Sequence, residues 1–105
     1  MDAAFGSLMK TLEELGEAQN TVVFFTADNG PEVGTPGHTY GLAGRKRSLT
    51  EGGIRMPSIL EWPARITRNH NVSWPAVSND LLPTLLDIWR VESSTGWVLD
   101  GVSLL

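Results

Sequence analysis

Asp28 and Asn29 stand side by side, followed by Gly30 and Pro31. A carboxylate beside an amide carbonyl offers two hard oxygen donors, which suit Ca²⁺ or Mg²⁺ rather than a thiophilic metal. Gly30 allows the backbone to turn sharply behind them. Two donors fill part of a shell of about six, so the remaining ligands of such an ion must come from elsewhere. The same Asp-Asn-Gly triplet is a common turn former, and on spacing alone a plain turn is the more frequent outcome. Lys46 is a second candidate. It lies between Arg45 and Arg47 in a glycine-rich stretch, and a point-charge cation there suits a sulfate or phosphate oxygen. The competing reading is a solvated surface lysine, which composition alone favours. Glu51 and Arg55 bracket Gly52-Gly53 and are spaced to pair with each other. His38 and His70 are the two histidines, and neither has a partner at metal-ligand spacing. His38 shares the loop of the other candidates and is retained as a substrate-contact candidate; His70 reads as a solvated turn residue. Asn71-Val72-Ser73 fits the glycosylation sequon, which has meaning only in a secreted protein.

These groups need a scaffold, and the sequence supplies one. Phe5, Leu8, Met9, Leu12 and Leu15 recur at helical spacing and predict an amphipathic helix over 3–15, with Asp2 as its cap and Gly16 as its stop. Val22-Val23-Phe24-Phe25 is an apolar run without alternation, as in a strand covered on both faces. Asp28 and Asn29 therefore sit just beyond the carboxyl end of a strand, where ligands bind in open α/β sheets. The residues up to Gly44 carry five glycines and two prolines, counting from Gly30 and Pro31, and predict a long irregular loop of the kind that usually carries function. A second strand is expected within 54–62, with Pro57 near its start. Asp80 is expected to cap a second helix from Leu81 to about Trp89, with Pro83 in its first turn. The four tryptophans read as packing residues. The chain closes on Leu99-Asp100-Gly101-Val102-Ser103-Leu104-Leu105, an apolar ending that resembles a cut rather than a natural terminus.

The bulk properties narrow the classes. With 105 residues, 41% hydrophobic and 19% charged, the chain is globular and makes one small domain or part of a larger one. A net charge of -4 with 8 basic residues argues against nucleic acid as a partner. Cysteine is absent, which excludes disulfides, thiolate metal sites and a cysteine-derived nucleophile within these residues. No segment approaches the roughly 20 apolar residues of a membrane span, and the first residues do not read as a signal peptide.

Taken in order, the segments resemble the sulfatase family of the alkaline-phosphatase-like superfamily. The resemblance runs through Asn20-Thr21 and the strand to Thr26-Ala27-Asp28-Asn29-Gly30, then Gly44-Arg45-Lys46 and Glu51-Gly52-Gly53-Ile54-Arg55-Met56-Pro57. It continues through Trp62-Pro63-Ala64-Arg65-Ile66, Asp80-Leu81-Leu82-Pro83-Thr84 and Leu99-Asp100-Gly101-Val102. It implies that residues 1–105 are part of an α/β catalytic domain with a central, mostly parallel sheet flanked by helices. It also implies that Asp28 and Asn29 ligate one divalent ion, usually calcium, and that Lys46 contacts the sulfate group. Glu51 and Arg55 would be structural. The implied parent reaction is hydrolysis of an aryl or carbohydrate sulfate ester.

The family's Cys-x-Pro-Ser-Arg type signature, matured to formylglycine, has no counterpart here, nor have its two amino-terminal aspartates or its other lysine and histidines. The chain by itself is therefore expected to be inactive, and a truncated sheet with an unpaired edge and apolar faces is expected to be marginally stable or to aggregate. Arg45 and Arg47 stand where the family often has glycine or small residues, which makes the loop more anion-friendly. Members of the family are typically secreted, periplasmic or lysosomal. The rival readings are part of a related phosphodiesterase or phosphonate hydrolase, and a non-catalytic truncated product.

Overall fold

A computed structural model describes residues 1–92, 96 and 98–105; Trp97 lies outside the described residues. The chain divides into two units, Met1–Asn69 and His70–Leu105.

The first unit opens with helix α1, Asp2–Glu14. Met1 takes the cap position expected for Asp2, and no side chain caps the helix. Asp2 instead lies in the first turn, where its charge favours the positive end of the helix dipole. Gly16 ends the helix as its sequence position suggests. It adopts φ +72°, its N–H donates to the Glu13 carbonyl, and the Glu17 N–H reaches back to Leu12. This is the paired closure that a left-handed residue permits.

After a single 3₁₀ turn, Ala18–Asn20, strand β1 runs Val23–Thr26, one residue later than the apolar run indicated. Its partner β2 is Ser58–Glu61. Within the expected 54–62 stretch, Ile54 falls instead in a one-turn helix α2, Glu51–Ile54. The two strands pair antiparallel, with Val23 opposite Glu61, Phe24 opposite Leu60, Phe25 opposite Ile59 and Thr26 opposite Ser58. The hydroxyls of Thr26 and Ser58 lie 2.7 Å apart.

The chain is thus α/β as expected, while the pair seen here is antiparallel where a mostly parallel sheet was expected. The reason lies in the connection. A parallel neighbour requires a crossover back along the sheet, whereas residues 27–57 form loop and one helical turn at one end of β1, so β2 starts from that end. The Phe5 ring meets Phe25 edge-on, with centroids 5.3 Å apart. β1 is not covered on both faces as expected: Phe24 and Phe25 stay 39% and 37% exposed. Among the described residues no apolar side chain is fully buried.

Beyond β2, Trp62 to Ile66 form the expected turn, with the Ile66 N–H bonded to the Trp62 carbonyl and the Ala64 N–H bonded to Gln19. The Arg65 guanidinium lies 5.8 Å from the centre of the Trp62 ring. Packing was expected of every tryptophan. Trp62 is partly buried, but Trp74 and Trp89 are 78% and 64% exposed.

In the second unit a 3₁₀ turn, Ser78–Asp80, leads into helix α3, Leu81–Ile88. Pro83 occupies its first turn, where no intrahelical N–H is required. Asp80 does not cap α3 through its side chain. Its carboxylate accepts the N–H of Val77 (2.8 Å) and of Val102 (2.9 Å) instead. Those two backbone bonds, Val77 first, hold its pKa below the ordinary aspartate value.

Further along α3, the Thr84 hydroxyl donates to the Asp80 carbonyl and accepts the Leu104 N–H, while Ser103 donates to Asp87. Gly101 passes so close to the Asn79 carbonyl that a Cβ would collide with it. The Asp-Leu-Leu-Pro-Thr helix and the Leu-Asp-Gly-Val turn are one hydrogen-bonded unit.

Candidate functional site

The turn that follows β1 carries Asp28, which is exposed, and Asn29, which is half-buried. The Asn29 amide nitrogen donates to the Gly30 carbonyl at 2.9 Å. That bond fixes the side chain and leaves its carbonyl oxygen without a hydrogen-bond partner among the described residues. The Asp28 carboxylate has none there either. Two hard oxygen donors are therefore presented together, a chemistry that fits part of a Ca²⁺ or Mg²⁺ shell. No group of three His, Cys, Asp or Glu side chains that could hold a metal ion occurs among the described residues. The pair can supply part of a shell and not a whole one.

Three glycines join this turn to the loop of Lys46. The Gly30 N–H donates to the Gly53 carbonyl at 2.8 Å, and the Gly52 N–H to the Ala43 carbonyl at 2.7 Å. A Cβ at Gly30 would strike the Gly52 carbonyl. One at Gly52 would strike the carbonyls of Gly44, Ala43 and Leu42, and one at Gly53 those of Ser48 and Arg45. Backbone therefore packs directly on backbone, which glycine alone permits. The Thr50 hydroxyl adds a bond to the Ala43 carbonyl and one to Ser48. α2 thus serves as a wedge between the Asp28–Asn29 turn and the cationic loop.

Lys46 is tied to the same turn through its own N–H, which donates to the Pro31 carbonyl at 3.2 Å. Its ammonium is exposed and forms no hydrogen bond or ion pair among the described residues. The flanking arginines behave differently. Arg45 donates to the Glu32 carbonyl at 3.2 Å, and Arg47 lies 2.6 Å from both carboxylate oxygens of Glu32. The Val33 N–H and the Arg47 guanidinium hold the Glu32 carboxyl below its usual range, with the charge of Lys46 adding to the effect. The expectation that both arginines make the loop more anion-friendly is narrowed for Arg47, whose charge pairs with the Glu32 carboxylate; Arg45 bonds a neutral main-chain carbonyl.

His38 lies in the intervening loop, exposed, with its ring 6.2 Å from that of Tyr40. Among the described residues it makes no hydrogen bond to Asp28, Asn29 or Lys46. Glu51 and Arg55 pair at 2.9 Å, as their spacing suggests. His70 and the Asn71-Val72-Ser73 sequon are exposed. Sequence reasoning did not single out Glu32. The signal available was an acid following the turn and a basic triplet in the same loop, but nothing in a separation of 15 residues indicates contact.

A family model described as Sulfatase matches residues 1–91. Over 113 aligned residues the chain is 36% identical to steryl-sulfatase of Rattus norvegicus, covering 100% of this chain and 20% of that protein. It is 41% identical to arylsulfatase A of Bos taurus over 110 residues, covering 99% of this chain and 21% of the relative. N-acetylgalactosamine-6-sulfatase of Mus musculus is 32% identical over 109 residues, covering 100% and 21%. A solved structure described as Ps i-CgsB in complex with k-i-k-neocarrahexaose superposes with a TM-score of 0.89 at 29% identity, covering 96% of this chain and 22% of that one. The chain spans about a fifth of the length of the curated relatives it matches.

Proposed function

Because this chain belongs to the sulfatase family, we propose that it forms the carboxyl-side part of the catalytic domain of a sulfuric ester hydrolase. Within it, Asp28 and Asn29 supply two ligands of one divalent cation, Ca²⁺ or Mg²⁺, and Lys46 contacts the sulfate group. The observation that carries this reading is the glycine junction, which fastens the oxygen-donor turn and the Lys46 loop to each other. A sulfate ester gains negative charge on its oxygens and leaving group as it breaks, and fixed cations stabilise that charge. A bound divalent ion supplies Lewis-acid stabilisation of the same charge. The part of this chain is to orient the Asn29 oxygen, present the Asp28 carboxylate and hold the Lys46 ammonium near a sulfate oxygen. His38 is a weaker substrate contact, through its place in the same loop.

The Cys-x-Pro-Ser-Arg type signature has no counterpart in these residues, so the nucleophile is assigned to a part of the domain outside this sequence. The substrate class we propose is an aryl or carbohydrate sulfate ester. The oligosaccharide named with the similar solved structure supports a glycan. The accessible Asn71 sequon agrees with a secreted or lysosomal setting. Among the described residues no helix is long and apolar enough to cross a membrane.

Two measurements test the proposal. In the intact protein, Asp28→Ala should weaken Ca²⁺ or Mg²⁺ binding in calorimetry, and Lys46→Ala should lower kcat on an aryl sulfate by about a hundredfold. Unchanged binding and turnover would refute the roles of both residues. The 105-residue chain alone should not hydrolyse a fluorogenic aryl sulfate, with or without added metal.

A further inference from the structure

Arg45, Lys46 and Arg47 are three successive residues, and each bonds to the Pro31-Glu32 segment. Arg45 donates its guanidinium to the Glu32 carbonyl, Lys46 its backbone N–H to the Pro31 carbonyl, and Arg47 its guanidinium to both Glu32 carboxylate oxygens. Arg47 holds φ +72°, a left-handed conformation that non-glycine residues seldom adopt. Such a conformation persists where surrounding contacts enforce it; here the Ser48 N–H closes a turn on the Arg45 carbonyl at 2.9 Å, and the Arg47 guanidinium at the apex of that turn is held by the short charged contact with Glu32. Pro31 and Glu32 directly follow Asp28-Asn29-Gly30. The clamp therefore sets where the Lys46 loop lies relative to the oxygen-donor turn.

We propose that Glu32 is a positioning residue that fixes the Lys46 loop against the Asp28–Asn29 turn, a role that rests on the sulfate and metal reading above. Glu32 does not itself meet the anion. Its carboxylate engages Arg47 while the Lys46 ammonium, between the two arginines, stays available. A neighbouring carboxylate that served only as a charge would oppose anion binding at Lys46. A carboxylate that positions the loop favours it. The two roles thus predict opposite signs for the same substitution.

The test compares wild type, Glu32→Gln, the double variant Glu32→Gln/Arg47→Gln and the exchanged pair Glu32→Arg/Arg47→Glu in the intact protein. The double variant removes the chance that a released Arg47 captures the anion in place of Lys46. Inorganic sulfate is the probe for calorimetry, and hydrogen exchange is followed in the peptide spanning residues 43–48. The expected results for Glu32→Gln and the double variant are exchange faster by about tenfold and sulfate affinity lower by about fivefold. The exchanged pair should restore part of both.

Arg47→Gly relaxes at a positive φ and so carries little risk to folding; it should show the same loss of protection. Unchanged exchange, or sulfate affinity that rises in the double variant, would overturn the proposal. A wild type that binds no sulfate would refute the reading of Lys46 itself. The exchange comparison would still decide whether Glu32 fixes the loop.

Discussion

At the scale of single residues, polar side chains here are used mainly to secure backbone. Asn29 bonds the Gly30 carbonyl, Thr50 the Ala43 carbonyl, and Asp80 gathers two N–H groups from either side of α3. Asp80 also gives the chain a definite acid response. Its folded-state pKa is depressed by the N–H groups of Val77 and Val102. Its stabilising contribution is therefore complete above the ordinary aspartate value of about 4 and disappears as pH falls through the lower folded value. Glu32, also depressed, acts in the same direction. Asp80→Asn should lower Tm at neutral pH and make the decline of Tm below about pH 4 shallower than in wild type. A decline of unchanged steepness would show that the Asp80 charge contributes nothing to it.

At the scale of elements, the close approach of three glycines decides how the site is built. Gly52→Ala would drive a Cβ into three carbonyl oxygens that belong to backbone and cannot rotate away. It should destabilise the intact protein in chemical denaturation by about 1–3 kcal/mol. Gly6→Ala, in α1 with open space around the new methyl, should stabilise it by about 0.5–1 kcal/mol. A pair of similar values would mean that the junction is loose.

This contrast also marks how far the sequence could be read. α1 and α3 were legible because their apolar residues recur at helical spacing, and β1 because its run of valine and phenylalanine is continuous. α2 was not, because Gly52-Gly53 weakens helix propensity and its one turn is held by packing against the loop of residues 42–48. Asp28, Asn29 and Lys46 could be named as candidates from their types. That backbone bonds fasten their loops together could not, since the bonds join segments far apart in sequence. Asp80 was read as a cap because caps are local, whereas its carboxylate reaches Val102, 22 residues on.

At the scale of the whole molecule, the apolar side chains of the described residues stay within reach of water. Ile59, Leu82 and Trp89 are 57%, 48% and 64% exposed, besides the phenylalanines of β1. The sheet consists of two strands and has unpaired outer edges among the described residues, which invites further strand pairing. By itself the 105-residue chain should associate as its concentration rises, bind an apolar dye such as ANS and melt over a broad range. Light scattering and calorimetry check this. A soluble monomer with a sharp cooperative transition would contradict it. The sulfatase relatives are about five times as long, and the same surfaces would have protein to pack against in a chain of that size.

The bond between Gly30 and Gly53 bears on chemical ageing as well as geometry. Asn-Gly sequences deamidate readily, because an unhindered glycine nitrogen can attack the asparagine side-chain carbonyl, close a succinimide ring and expel ammonia. In the folded chain the Gly30 N–H is occupied by Gly53, and the Asn29 amide nitrogen is occupied by the Gly30 carbonyl. Attacking atom and leaving group are both restrained for as long as the junction holds. The loop that orients Asn29 therefore also protects its amide from conversion to a carboxylate, and isoaspartate at position 29 would record the time a molecule had spent open.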